Sequence, residues 1–119
     1  MRLVIISNRL PFTVSIHEGV PQFKPSAGGL TTGLWSYLAR KPENGTAPPD
    51  HLWLGWPGGG IPPAQESVVR AYAEQEYNSS PVFVPDDRMD RFYHGFCNKT
   101  IWPLFHYFPT LAQFEEKYW

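Results

Sequence analysis

Leu3-Val4-Ile5-Ile6 is a continuous apolar run, mostly β-branched, bounded by Arg2 and by Ser7-Asn8-Arg9-Leu10-Pro11. Such a run predicts a buried strand, as in a parallel sheet covered on both faces. Phe12-Thr13-Val14-Ser15-Ile16 then alternates, Glu18-Gly19 is a turn signal, and Val20 to Phe23 can pair back. Residues 12–25 therefore predict a small hairpin outside the main sheet. From Gly28 to Arg40, Leu30, Leu34, Tyr37 and Leu38 follow the spacing of one helical face, and Pro42 stops the pattern. Residues 42–50 read as a loop and His51–Trp56 as a second strand, closed by Pro57-Gly58-Gly59-Gly60. Gln65–Tyr77 predicts a second helix, with Val68, Val69, Tyr72 and Ala73 on one side.

Asn78-Ser79-Ser80 ends that helix, and Pro81–Pro85 reads as a third strand. Asp86-Asp87 can open a helix that carries Met89, Phe92, Tyr93 and Phe96 and is broken at Asn98. An aromatic turn follows from Ile101 to Tyr107, with a last helical turn within Leu111–Trp119. Phe92, Phe96, Phe105 and Tyr107 are core positions by periodicity. Strands alternating with helices give a parallel, doubly wound α/β sheet. No internal repeat, low-complexity tract or linker interrupts it.

Composition narrows the picture. The chain has 119 residues, enough for one small domain, and 42% hydrophobic against 18% charged residues is globular rather than disordered. A net charge of −1 gives no bulk-charge case for nucleic acid or a membrane surface. The single cysteine, Cys97, excludes an intrachain disulfide and fits a reducing compartment. No apolar run approaches a signal peptide or a membrane span, so a soluble cytoplasmic protein is expected. Aromatics at 16% can fill a small core or stack on sugar rings.

Four stretches can carry chemistry. Ser26-Ala27-Gly28-Gly29-Leu30 opens a helix, where free N–H groups and a partial positive charge suit a phosphate and glycines allow close approach. The dinucleotide and P-loop fingerprints are absent, and a tight turn explains the pair of glycines as well. Arg9, in Asn8-Arg9-Leu10-Pro11, stands just beyond the first strand, where its fork can take a phosphate or simply face solvent. Trp53-Leu54-Gly55-Trp56-Pro57-Gly58 puts Trp53 on one face as a core ring and Trp56 on the other, near the sheet mouth. Tyr93 and Trp102, on either side of the Asn98 break, could fold towards each other and stack on a sugar. The four histidines are scattered without ligand spacing, so no metal site is expected. Asp86-Asp87 reads as a cap rather than an acid/base pair, and Cys97 has no feature that marks a nucleophile.

Taken in order, these stretches are specific. Val4-Ile5-Ile6-Ser7-Asn8-Arg9-Leu10-Pro11, Lys24-Pro25-Ser26-Ala27-Gly28-Gly29-Leu30, Trp53-Leu54-Gly55-Trp56-Pro57-Gly58 and the block from Tyr93 to Tyr107 together resemble the amino-terminal part of the trehalose-6-phosphate synthase family. The resemblance runs over essentially the whole chain. It implies a partial Rossmann-like domain over residues 1–119, the acceptor side of a two-domain GT-B glycosyltransferase. The carboxyl-terminal nucleotide-sugar domain is absent from these residues.

The implied reaction is retaining transfer of glucose from UDP-glucose to glucose 6-phosphate, without metal or other cofactor, in a homo-oligomeric parent enzyme. Carried over motif by motif, Gly28, Gly29 and Arg9 would meet the donor phosphates. Arg9, Trp56, Tyr93 and Trp102 would hold the acceptor. No catalytic residue is assigned within these residues, and the segment alone is expected to be inactive. Cys97 stands where the family often has Ser. Two alternatives remain: a relative using glycerol 3-phosphate or a cyclitol phosphate as acceptor, and a non-catalytic subunit that binds sugar phosphate.

Overall fold

A computed structural model describes residues 2–38 and 50–119. They form two compact units, Met1–Phe83 and Val84–Trp119, each with its own packing.

In the first unit, strands β1 (Leu3–Arg9), β4 (His51–Trp56) and β5 (Ser79–Pro81) form a parallel sheet in the order β1-β4-β5. Helix α1 (Gly29–Leu38) lies between β1 and β4 in the chain, and α2 (Pro63–Tyr77) between β4 and β5. Parallel pairing needs such crossovers, because neighbouring strands must start from the same end. Strands β2 (Phe12–His17) and β3 (Val20–Pro25) form a separate antiparallel hairpin. Its turn has Glu18 at φ 51° and Gly19 at φ 76°, the two left-handed residues that match strand twist in a tight hairpin. The hairpin closes at its base, where the Ser26 N–H donates to the Pro11 carbonyl at 2.9 Å. The chain thus leaves β1, makes the hairpin, and returns to start α1 close to where β1 ended.

The core is Leu10, Phe12, Val14, Leu38, Trp53, Val69 and Ala73. Aromatic rings tie the hairpin to the helices. Phe23 stacks on Tyr72 at 3.7 Å, Phe12 lies 4.7 Å from Tyr77, and Trp35 lies 5.0 Å from Tyr77. In this unit the rings do the work of a small core. Burial there raises the Tyr77 hydroxyl pKa, with Tyr72 and Glu76 adding to the shift.

Several expectations need correction. Helix α1 buries Thr31 and Leu38 and half-buries Leu34 and Trp35, whereas Leu30 and Tyr37 are exposed. The large Trp35 ring, seated on Tyr77, rotates the helix away from the simple leucine pattern. The expected helix end at Arg40 and most of the 42–50 loop lie outside the described residues. The third strand is Ser79–Pro81 rather than 81–85. Asn78 adopts the left-handed cap conformation at φ 46°, so the chain turns into the sheet at once. Its ladder runs from Trp53 N–H on the Asn78 carbonyl to Val82 N–H on the Gly55 carbonyl. Pro81, with no N–H, is tolerated because β5 lies at one end of this sheet. The apolar run of β1 is covered on one face only among the described residues: Val4 and Ile6 are 53% and 81% exposed.

The second unit is helical. Helix α3 (Asp86–Met89) continues without a break into a π-wound segment (Asp90–Ile101) and then α4 (Trp102–Phe105). Asn98 therefore does not break the helix, which is instead widened to i→i+5 bonding, with the Trp102 N–H on the Cys97 carbonyl. Gly95 and Thr100, five residues apart, are its buried positions. The Tyr118 ring lies on Gly95, and the Thr100 hydroxyl donates to the Gln113 carbonyl. The four aromatic positions read as core are not: Phe92, Phe105 and Tyr107 are exposed and Phe96 is half-buried. A reading in steps of three and four cannot follow a helix that repeats between four and five.

Candidate functional site

In the first unit, three of the sequence-marked features gather at the carboxyl ends of the parallel strands. Arg9 ends β1 and Trp56 ends β4, and the two are partners across the ladder. The turn Ser26-Ala27-Gly28 is tied to Pro11, two residues beyond Arg9, by the hairpin-closing bond. This is the end of an open α/β sheet at which ligands bind.

The glycine turn has the geometry of a helix start. Gly28 sits at φ 148°, and its carbonyl accepts from the Thr32 N–H at 3.0 Å and the Thr31 hydroxyl at 3.2 Å. Gly29 is the first residue of α1, and a Cβ added there would meet nothing within 4 Å. Packing among the described residues therefore does not demand a glycine at 29, and the backbone N–H groups of the first turn are the kind of donors that suit an anion.

The peptide between Arg9 and Leu10 is held from three sides. Its carbonyl accepts from the Ser7 hydroxyl at 2.6 Å, and its N–H donates to the Trp56 carbonyl at 3.1 Å. Its flat face lies on Gly55, where a Cβ would come within 3.1 Å of Arg9 C and 3.2 Å of Leu10 N. Ser7 is itself fixed, because the fully buried Trp53 donates its indole N–H to the Ser7 oxygen at 2.7 Å. The β1–β4 register shifts between Ile6 and Arg9, so these bonds define an irregular strand end. Asn8 Nδ2, beside it, is buried without a hydrogen-bond partner among the described residues.

In the second unit, Tyr93 is half-buried in the π-wound segment and Trp102 is 51% exposed at its end. They are nine residues apart. An α-helix turns nine residues through about two and a half turns and would set them on opposite sides. A helix with i→i+5 bonds completes about two turns over the same span and brings them to one side. Trp102 is steadied by His106, stacked on it at 4.1 Å with Nδ1 2.8 Å from the Trp102 carbonyl. Burial pushes the Cys97 thiol pKa up, which disfavours the thiolate a nucleophile needs. Among the described residues no three of His, Cys, Asp and Glu gather as metal ligands, and no helix is long and apolar enough to cross a membrane.

The sequence profile of glycosyltransferase family 20 matches residues 1–119. The chain belongs to that family. It is 42% identical over 119 residues to an α,α-trehalose-phosphate synthase (UDP-forming) from Aspergillus niger, covering 99% of this chain and 22% of the relative. It is 38% identical to the Schizosaccharomyces pombe enzyme of the same name, with the same coverage. The chain thus spans about a fifth of the length of these relatives and corresponds to their amino-terminal part.

Solved structures agree. An α,α-trehalose-phosphate synthase from Burkholderia xenovorans, in complex with glucose-6-phosphate, superposes with a TM-score of 0.60 at 25% identity, covering 99% of this chain and 22% of that one. An E. coli structure bound with UDP-2-fluoro glucose gives 0.57 at 26% identity, covering 100% and 21%. The family-20 segment has the mixed α/β fold that the motif order implied.

Sequence reasoning missed three features of this site. Ser7 and the indole N–H of Trp53 carry no local signal, because their bond joins residues 46 apart. The π-winding has no propensity signature of its own. The packing role of Gly55 was concealed in a motif that reads equally well as a strand end.

Proposed function

We propose that these residues form the acceptor-side, amino-terminal portion of a retaining GT-B glycosyltransferase that transfers glucose from UDP-glucose to glucose 6-phosphate, giving trehalose 6-phosphate and UDP. The observation that carries the reading is the meeting of Arg9, Trp56 and the Gly28–Gly29 helix start at one end of a parallel sheet, in a chain of this family. The named relatives are UDP-forming trehalose-phosphate synthases, which favours glucose 6-phosphate over other acceptors and an enzyme over a non-catalytic subunit.

In this reading the first-turn N–H groups at Gly28 and Gly29 meet the donor pyrophosphate. Arg9 offers its guanidinium to the acceptor phosphate and lies near the donor phosphates. In the first unit Trp56 offers a ring face to an acceptor sugar; in the second, Tyr93 and Trp102 offer theirs, and the Tyr93 hydroxyl can bond a phosphate oxygen. The anomeric hydroxyl of the acceptor attacks C1 of the donor glucose on the face from which UDP leaves. The C1–O bond to UDP breaks, and a phosphate oxygen of the departing UDP takes the hydroxyl proton. The groups that stabilise the leaving pyrophosphate belong to the other domain of such an enzyme, so these residues alone turn over slowly or not at all. A cytoplasmic, homo-oligomeric parent enzyme, working without metal, completes the reading.

The test measures UDP release with UDP-glucose and glucose 6-phosphate, using the natural full-length polypeptide that carries this sequence. Arg9→Ala and Tyr93→Phe should each raise the glucose 6-phosphate KM at least tenfold. Unchanged kinetics in both would overturn the site assignment. Robust turnover by the 119 residues alone would overturn the need for a second domain.

A further inference from the structure

We propose that Ser7 and Trp53 are positioning residues that aim Arg9, through a directed relay of hydrogen bonds ending on the Arg9 carbonyl. The proposal rests on the reading of Arg9 as a phosphate contact and adds two residues that touch no substrate.

The relay has one direction. An indole N–H can only donate, so Trp53 Nε1 gives its proton to Ser7 Oγ at 2.7 Å. A serine hydroxyl has one proton, and this one goes to the Arg9 carbonyl at 2.6 Å. The carbonyl and the following N–H belong to one planar peptide. That N–H is in turn held by the Trp56 carbonyl at 3.1 Å. With both ends of the peptide bonded and its face closed by Gly55, the backbone torsion that follows the Arg9 Cα has little freedom. The direction in which the Arg9 side chain leaves the strand is set by that torsion.

The origin of the relay is well anchored. Trp53 is fully buried in the core, and its neighbours in the packed cluster include Leu10 and Phe12. A buried indole N–H without a partner is costly, so the Trp53–Ser7 bond is kept wherever Trp53 is kept. Misplacing a charged group by about 1 Å costs far more in transfer than in folding, because reacting groups must meet within narrow limits. A relay that starts in the core and ends beside the phosphate-binding residue therefore has its main effect on acceptor use.

The experiment is a double-mutant cycle in the natural full-length polypeptide, with glucose 6-phosphate KM, kcat and thermal midpoint measured for each variant. Ser7→Ala should raise the glucose 6-phosphate KM roughly five- to twentyfold. Ser7→Thr, which retains the hydroxyl, should recover most of that loss. In an Arg9→Ala background, Ser7→Ala should add less than a twofold change, since nothing remains to aim. An equal effect of Ser7→Ala with and without the Arg9 side chain overturns the relay and leaves the assignment of Arg9 intact. An Arg9→Ala variant with parent kinetics overturns that assignment, and the relay's purpose with it.

A second measurement on the 119-residue chain needs no turnover. In ¹⁵N spectra, Ser7→Ala should shift the Trp53 indole N–H and the Leu10 amide, and should broaden the Arg9 Nε–H line, while Ser7→Thr leaves it sharp. An Arg9 Nε–H line that does not respond to Ser7→Ala overturns the proposal whatever the enzyme's activity.

Discussion

The same substitution, glycine to alanine, should have opposite effects at two places in the first unit. At Gly55 an added Cβ would sit 2.8 Å from the Ser7 carbonyl oxygen, 3.1 Å from Arg9 C and 3.2 Å from Leu10 N. All three are backbone atoms, so no side chain can swing away. Relief must come from moving the end of β1 or bending β4. Overpacking of this kind costs about 1–3 kcal/mol. An unfolding entropy of about 2.1 cal/mol/K per residue gives a chain of 119 residues roughly 0.25 kcal/mol/K, and hence a fall in Tm of about 4–12 °C. At Gly33, inside α1, a Cβ would meet nothing within 4 Å among the described residues. Alanine there removes unfolded-state freedom and should stabilise by about 0.4–1 kcal/mol. Urea melts followed by tryptophan emission measure both. Gly55→Ala should lower the midpoint with an unchanged slope, and Gly33→Ala should raise it. A Gly55→Ala chain within about 0.5 kcal/mol of the parent would refute the claim that this glycine is demanded by the β1 backbone.

Gly29→Ala separates binding from folding: with no atom of the described residues within 4 Å of the new methyl, stability should stay within about 0.5 kcal/mol of the parent, while the UDP-glucose KM of the full-length polypeptide rises about tenfold or more. Cys97 should react slowly with iodoacetamide near neutral pH, because burial raises its pKa and lowers the thiolate fraction; fast alkylation of the folded chain at pH 7 would contradict that. The hydrogen bond from Arg91 holds the Asp87 carboxyl below the ordinary carboxylate range, chiefly against its own desolvation. A lowered folded pKa stabilises above the unfolded value, so this contribution is lost as pH falls through the folded one. An NMR titration should place Asp87 low, and Arg91→Ala should return it to the ordinary range. Gly95→Ala should loosen the turn Glu116–Tyr118, since its Cβ would fall 2.5 Å from the Tyr118 ring; unchanged amide exchange around Tyr118 would count against that contact.

Strands and hairpin were legible because their signals are local. Alternation over Phe12–Ile16 and a Glu-Gly turn need no distant partner, and His51–Trp56 alternates in burial as its pattern implied. Long-range packing decides the rest. The Trp35 contact with Tyr77 turned α1, and a left-handed Asn78 starts β5 at Ser79, two residues before the expected strand over 81–85. At the site, Arg9, Trp56 and the glycine turn could be marked from strand ends and a helix start. The relay could not, since Ser7 reads as a loop polar residue until Trp53 is placed above it. A break at Asn98 was expected between Tyr93 and Trp102, whereas the segment runs through Asn98 as a continuous, wider helix.

That wider helix makes length a property distinct from composition. Between Tyr93 and Trp102 the chain works as a ruler of two turns. Exchanging one residue there for another leaves the ruler intact wherever Gly95 and Thr100 can still be buried. Removing a single residue would let the segment relax towards α-winding and rotate Trp102 by about a quarter turn or more. A scan of one-residue deletions from His94 to Ile101 should therefore be far more damaging than alanine substitutions at the exposed positions His94, Asn98 and Lys99.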